Sequence, residues 1–205
     1  MELYFAPFAC SLASHIAARE AGIPLDLHQV SLATKRLSEG GDYLAVSPKG
    51  YVPTLRLDDG SLMTENPVIL QYLADRKPES GLLPPVGARE RYEVLEWVGY
   101  VSTEIHKGIY ALIFSPTSPE EAKAYARGLV ERKFAILVER LQGRDFLVGD
   151  RFTIADAYLT WALTIAPYAG IDLDAWPQLL AYRTRMQARP SVQAAIAYEQ
   201  ERAAA

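Results

Sequence analysis

Four places in the 205-residue sequence combine residue types that can do chemistry. The first is the single cysteine, Cys10, between Ala9 and Ser11. It follows Glu2-Leu3-Tyr4-Phe5, which reads as a strand, and precedes a helical pattern over residues 11–21. A thiol at the mouth of a helix meets partial positive charge and unsatisfied N–H groups, which favour thiolate over thiol. The competing reading is a small buried hydrophobe, the usual fate of a cysteine outside a disulfide. The strand-to-helix turn weights the first reading, because open α/β sheets bind ligands at the carboxyl ends of their strands. Position 13 is alanine, so no resolving thiol lies in the same turn. A disulfide made by Cys10 then needs an external thiol to release it, which points to a small thiol cosubstrate.

The second place is Ser47-Pro48-Lys49-Gly50-Tyr51-Val52-Pro53, leading into a strand over residues 54–57. Proline donates no ladder bond. A cis Val52–Pro53 bond would turn the Val52 backbone outward to pair with a peptide-like ligand, whereas a trans bond would merely start an edge strand. The sequence leaves both open. The third is Thr64-Glu65-Asn66 before Pro67: Glu65 can receive an ammonium group, and Asn66 can hold a carboxylate or simply cap the helix. The fourth is a polar stripe at α-helical spacing, made of Gly99, Thr103, His106, Lys107 and Tyr110. It is either a ligand face or a solvated one; Gly99 in mid-helix costs roughly 1 kcal/mol against alanine and hints at close approach. His15 and His28 read as ordinary histidines without company. No two histidines share metal-ligand spacing, and neither a glycine-rich phosphate loop nor a GxSxG elbow is present, so metal, nucleotide and serine-hydrolase chemistry are not expected.

The elements that must carry these residues fall into two parts. Residues 1–80 read β-α-β-α-β-β-α, with strands at 2–5, 25–30, 54–57 and 61–64 and a closing helix at 66–76 whose proline sits where an N1 proline is tolerated. Asp58-Asp59-Gly60 predicts a type I′ hairpin turn. A proline- and glycine-rich bridge runs from Pro78 to Gly87, with the linker itself at 81–87. Residues 88–205 read as helical throughout. A long helix over 88–114 carries apolar residues at 94, 98, 101, 105, 109 and 112, and another covers about 119–141. Thr153-Ile154-Ala155-Asp156 is a capping box, giving Thr153 and Asp156 a structural role. Two shorter helices follow, separated by Pro190. The expected fold class is a small α/β domain followed by an all-α domain.

Composition narrows the function classes. Half the residues are apolar, so the chain can bury a core, and a net charge of −4 with scattered Lys and Arg excludes nucleic acid as the main partner. The apolar-leaning stretch 158–171 is too short to span a bilayer, and the N-terminus lacks a secretory pattern. A lone cysteine suits a reducing compartment. A cytoplasmic protein without a membrane partner is the expectation.

Five blocks, in this order and spacing, resemble the cytosolic glutathione transferases, most closely the bacterial beta class. They are Ala9-Cys10-Ser11-Leu12-Ala13-Ser14-His15; Val46-Ser47-Pro48-Lys49-Gly50-Tyr51-Val52-Pro53; residues 62–75; Thr103-Glu104-Ile105-His106-Lys107-Gly108; and Phe152-Thr153-Ile154-Ala155-Asp156-Ala157-Tyr158. The resemblance implies a thioredoxin-like glutathione-binding domain, a helical domain lining the second-substrate site, and a homodimer. It implies Cys10 and His106 at the glutathione sulfur, Ser11 and Lys35 near the tripeptide, and Val52, before a cis Pro53, on its cysteinyl backbone. Glu65 and Asn66 would hold the γ-glutamyl end, with Thr103 and Glu104 adding contacts, the latter from the partner subunit. Phe8, Lys107, Tyr110, Phe114 and Tyr168 are the expected second-substrate pocket. Two positions depart from the family pattern: Gly99 stands where asparagine is frequent, and the tyrosine of Tyr4-Phe5 stands one place earlier than in some relatives. The implied activity is conjugation of the glutathione thiolate to small hydrophobic electrophiles, with glutathione as cosubstrate and no covalently bound cofactor. Two other readings stand beside it: a thiol transferase or peroxidase forming a mixed disulfide at Cys10, and a non-catalytic relative that binds ligands or proteins.

Overall fold

The computed structural model describes residues 1–204. The chain forms two compact units: Met1–Leu83 together with the chain from Arg189 onward, and Pro84–Ala188.

The first unit is built on a five-stranded sheet of β1 (Glu2–Phe5), β2 (Asp26–Ser31), β3 (Arg36–Leu37), β4 (Thr54–Arg56) and β5 (Leu62–Thr64), in the order β3-β2-β1-β4-β5. β1 runs parallel to β2 and antiparallel to β4, and both edge pairs are antiparallel. Side chains alternate across a strand. Leu3 therefore joins Ala18, Ile23, Leu55, Ile69 and Leu73 on one face, while Tyr4 joins Ala6, Val30, Tyr43 and Val52 on the other. Both faces of β1 are covered, which is why Leu3-Tyr4-Phe5 shows no polar alternation. Helices α1 (Ser11–Glu20) and α3 (Asn66–Arg76) pack together, and α2 (Tyr43–Val46) is a single turn capped by Asp42. The two-residue β3 went unread in the sequence, being too short to show a period. The β4–β5 hairpin forms, but its turn is not type I′. Gly60 takes φ +83°, and the positive-φ non-glycine residues are Phe8, Lys35 and Glu65 rather than Asp59. Asp59 instead accepts from Ser61 N and Oγ.

The second unit contains a continuous helical run made of α4 (Arg89–Tyr100), a π-helical segment (Val101–Tyr110) and α5 (Ala111–Phe114). α6 (Glu120–Gly128) and α7 (Val130–Leu141) were expected as one helix; the run is interrupted at Leu129, directly after Gly128. α8 (Ile154–Ile165) is buried at every residue except Thr164, as a helix apolar nearly all round must be. It packs against α4, the π segment and α9 (Pro177–Gln187).

The last helix, α10 (Pro190–Ala203), belongs to the first unit and packs along α1. The sequence grouped it with residues 88–205, because a helix following helices carries no local sign of its packing partner. Arg189 and Ser191 both bond the Glu20 carboxylate at the end of α1, tying the two helices at that point.

Candidate functional site

In the first unit, Cys10 occupies the N-cap position of α1 and is 9% exposed. Its Sγ donates to Val52 O at 3.3 Å. The Val52–Pro53 bond is cis, and Val52 lies two residues before β4, outside the ladder. Ser11 is turned inward: its Oγ meets both Ala6 N and Ala6 O at 3.3 Å, so it shapes the turn with its side chain. Asn66 is likewise committed internally. Its Nδ2 donates to Cys10 O at 3.1 Å, and its Oδ1 accepts from Ser14 Oγ at 2.5 Å. The side chain that the sequence offered to a carboxylate is thus the one that fixes the Cys10 turn.

Glu65 and Lys35 both adopt positive φ, +72° and +56°. Neither conformation is favoured for a residue with a Cβ, and such outliers gather where a loop must present a group. Glu65 is exposed and receives Lys49 Nζ at 3.2 Å, the same ammonium donating to Thr64 Oγ1 at 2.8 Å. Lys35 donates to Gly50 O at 2.8 Å and lies over the Tyr51 ring. Lys49, to which the sequence gave no role, is the cation beside Glu65.

A buried relay runs behind this turn. Glu199 of α10, fully buried, accepts from Phe8 N at 2.7 Å and sits 3.2 Å from His15 Nδ1. His15 Nε2 accepts from Arg19 Nε at 2.8 Å, which assigns the ring proton to Nδ1. Phe8 adopts φ +58°, and Glu199 holds its N–H in that strained conformation. Burial pushes the Glu199 carboxyl above its usual range, with His15 and Phe8 N pulling against that. His15, expected to lack company, is a member of this relay. His28 also has partners: it stacks on Tyr4 at 5.0 Å and meets Glu39 at 2.5 Å. The Tyr4 hydroxyl donates to Glu2 at 2.8 Å, and burial together with that carboxylate pushes it up to about 12.

In the second unit, the π segment carries Thr103, Glu104, His106 and Lys107. His106 Nδ1 lies 2.8 Å from the Tyr158 hydroxyl, and its ring packs edge-on against Trp161 at 4.8 Å. Burial first, and Lys107 second, lower its pKa to about 4, so the imidazole is neutral at physiological pH. The His106 Nδ1–Tyr158 contact fixes the ring's orientation, and one ring nitrogen of the neutral imidazole carries the proton. Thr103 Oγ1 is exposed and donates to Gly99 O at 3.1 Å. Glu104 is paired with Lys133 at 2.9 Å, which holds its carboxyl below the usual range.

The stripe expected from α-helical spacing does not survive as one face. Thr103 and Lys107 are exposed and His106 is half-buried, but Tyr110 is 1% exposed with its hydroxyl on Ala162 O at 2.8 Å. A π turn bonds residues five apart and so shifts the phase that an α-helical wheel assumes. Tyr110, expected in a substrate pocket, is a core residue of its unit. Phe114 (45%) and Tyr168 (69%) are exposed, and Phe8 is half-buried. Thr153 and Asp156 form the expected capping box, with Thr153 N at 2.9 Å and Thr153 Oγ1 at 2.8 Å from Asp156 Oδ2. Asp156 Oδ1 also accepts from Leu147 N and the Tyr182 hydroxyl. Among the described residues, no cluster of three His, Cys, Asp or Glu could hold a metal ion, and no helix is long and apolar enough to cross a membrane.

Residues 9–76 match the family model of the glutathione S-transferase N-terminal domain, and residues 100–190 match that of the C-terminal domain. The chain is 46% identical over 199 residues to glutathione S-transferase GstA of Escherichia coli O157:H7, covering 97% of this chain and 98% of that one. A sphingomonad glutathione S-transferase solved in complex with glutathione superposes with a TM-score of 0.92 at 43% identity, covering 98% of this chain and 99% of that one. The bacterial beta-class enzyme of Sphingomonas chungbukensis superposes with a TM-score of 0.93 at 42% identity, covering 97% and 98%.

Proposed function

The chain belongs to the glutathione S-transferase family, and from that premise we propose that it conjugates the glutathione thiolate to small hydrophobic electrophiles. The observation that carries the reading is the Cys10–Val52 pair. A thiol at the head of α1 lies 3.3 Å from a backbone carbonyl beside the cis proline, so sulfur chemistry and peptide-like recognition meet at one turn. The head of α1 favours an anionic sulfur through its partial charge and N–H groups. A thiol in water is mostly protonated at neutral pH, so stabilising the thiolate is the main lever on rate. The thiolate then attacks an electrophilic carbon and the leaving group departs with its electron pair.

Val52 is assigned to the cysteinyl backbone, and Glu65 with Lys49 to the charged γ-glutamyl end. Lys35 is assigned to the tripeptide, with Ser11 and Asn66 shaping the turn from behind. Thr103, Glu104 and His106 keep their family assignments, His106 as a neutral donor to sulfur. Residues 1–80, joined by α10, are read as the glutathione domain, and 81–87 as the linker, within which the boundary between the two units falls. Residues 88–205, less α10, are read as the part that meets the electrophile and a second copy of the chain in a homodimer. Phe8, Lys107, Phe114 and Tyr168 are candidates for the electrophile contacts, and a reducing cytoplasm is the setting that the lone cysteine supports.

The test is glutathione-dependent turnover of an activated aryl halide followed by absorbance. Cys10→Ala is expected to lower kcat/KM by about tenfold, the loss of one hydrogen bond to sulfur, without abolishing turnover. Complete loss with intact glutathione binding would contradict this. His106 charges only near pH 4, so the pH–rate profile from 5 to 8 should show no limb from this ring and rise with thiol ionisation alone. The placement of Cys10 itself at the head of α1 favours a second reading, thiol transfer through a mixed disulfide. Intact mass after exposure to oxidised glutathione separates the two: one adduct at Cys10 supports thiol transfer, and no adduct leaves conjugation.

A further inference from the structure

Lys133 of α7 is a buried ammonium in the second unit, its side chain 8% exposed. Its Nζ donates to Glu104 O at 2.9 Å and pairs with Glu104 Oε2 at 2.9 Å, so one cation grips both the backbone and the carboxylate of the same residue. From the other side, the Tyr100 hydroxyl donates to Lys133 O at 2.9 Å. One residue of α7 is thereby bonded to α4 and to the middle of the π segment.

The space for this contact comes from Gly108. A Cβ there would stand 2.6 Å from Lys133 Nζ and 3.1 Å from Thr103 O. Gly108 lies inside a helical run and is not among the glycines with positive φ, so its backbone does not require glycine; the approach of the lysine does. An ammonium removed from water is unfavourable unless its charge and its donors are met, and an apolar side chain would bury at this position without that penalty. The segment that Lys133 enters is itself uncommon. Ala111 N bonds His106 O, five residues back, and such wide turns are rare in proteins and frequent at functional sites.

We propose that Lys133, admitted by the missing side chain of Gly108, is a positioning residue that pins the π-helical segment carrying Thr103, Glu104 and His106 and aims the Glu104 carboxylate. Its consequence for turnover rests on the reading of those three residues as glutathione ligands; its consequence for geometry does not. Removing the grip lets the segment relax toward α-helical spacing. His106 then moves against Tyr158 and Trp161, and Glu104 loses the cation that orders it.

The experiment compares the intact protein with Lys133→Met, Gly108→Ala and the double variant. The first readout is the His106 ring resonances of the ligand-free protein, assigned through His106→Asn among only three histidines. The second is glutathione affinity by calorimetry. Lys133→Met and Gly108→Ala should each shift the His106 resonances and weaken glutathione by roughly ten- to a hundredfold, the scale of one lost hydrogen bond to a charged group. The double variant should be scarcely worse than either single one, because both act on one contact. Unmoved His106 resonances in a folded Lys133→Met protein overturn the proposal, as does full additivity in the double variant. If Lys133→Met does not fold, Gly108→Ala, which keeps the lysine but blocks its approach, decides by the same resonances. If the unaltered protein fails to bind glutathione, the functional reading falls while the ring resonances still decide the positioning role.

Discussion

Asp156 and Glu199 are both fully buried carboxylates, one in each unit, and they are supported in opposite ways. Asp156 sits at the start of α8 and accepts from Thr153 N, Thr153 Oγ1, Leu147 N and the Tyr182 hydroxyl. Three of those four donors come from within nine residues. Glu199 sits in α10 and meets Phe8 N and His15 Nδ1, separated from it by 191 and 184 positions. Burial raises the pKa of both. The first carboxylate closes a local motif; the second closes a unit whose parts are distant in the chain. A buried carboxyl group therefore identifies a structural joint in either case, but only the local joint leaves a mark in the sequence.

The contrast can be broken by substitution, beginning with the largest effect. Asp156→Ala should cost about 4 kcal/mol by urea unfolding, because it orphans two backbone N–H groups and a tyrosine hydroxyl in the core. A loss under about 1 kcal/mol would mean that water replaces the carboxylate and the joint is not needed. Glu199→Ala, with two partners, should cost about 2–3 kcal/mol, and it should also weaken glutathione binding, because Phe8 leads into Cys10. Equal glutathione affinity in the variant would detach α10 from the sulfur turn.

The pH dependence sharpens the comparison further. A carboxyl whose folded pKa is raised contributes stability below its unfolded pKa and loses it as pH rises through the folded value. Glu199→Gln keeps an acceptor for Phe8 N without the charge. The stability of the parent protein minus that of this variant should therefore fall from pH 4 to pH 7.5, and a rise would reverse the assigned sign. Asn66→Ala should cost about 2 kcal/mol, since it strips the buried Cys10 carbonyl and Ser14 hydroxyl of their partner. Lys49→Ala, on an exposed pair, should change stability by less than about 0.5 kcal/mol. Any effect of that substitution should appear in glutathione affinity, as the Glu65 reading requires.

The same distinction between local and distant signals explains how far the sequence could be read. The strand before Cys10, the helix after it, the hairpin around Gly60, the proline-started α3 and the capping box each announce themselves within about ten residues. The Asn66 side chain was offered to a ligand or to its own helix and not to the Cys10 turn, because its bond to Cys10 O spans 56 positions. The π segment misled the helical wheel at Tyr110, since a phase shift of the backbone has no signature in residue type. Gly108 was visible as a glycine in a helix, yet its partner Lys133 looked like one more surface cation beside Arg132. Glu199, in a helix rich in alanine and glutamine, carried no sign of its burial at all.

The place of α10 has a consequence for the order of events during synthesis. Most of the first unit, through Leu83, leaves the ribosome early, yet the acceptor for Phe8 N and the partner of His15 lie at residue 199. At ~5–20 residues per second, the 116 positions from Leu83 to Glu199 take roughly 6–23 s to translate. Throughout that interval the α1 surface that α10 will cover stands open to water. The turn around Cys10 is thus among the first pieces of the chain to be made and among the last to be finished.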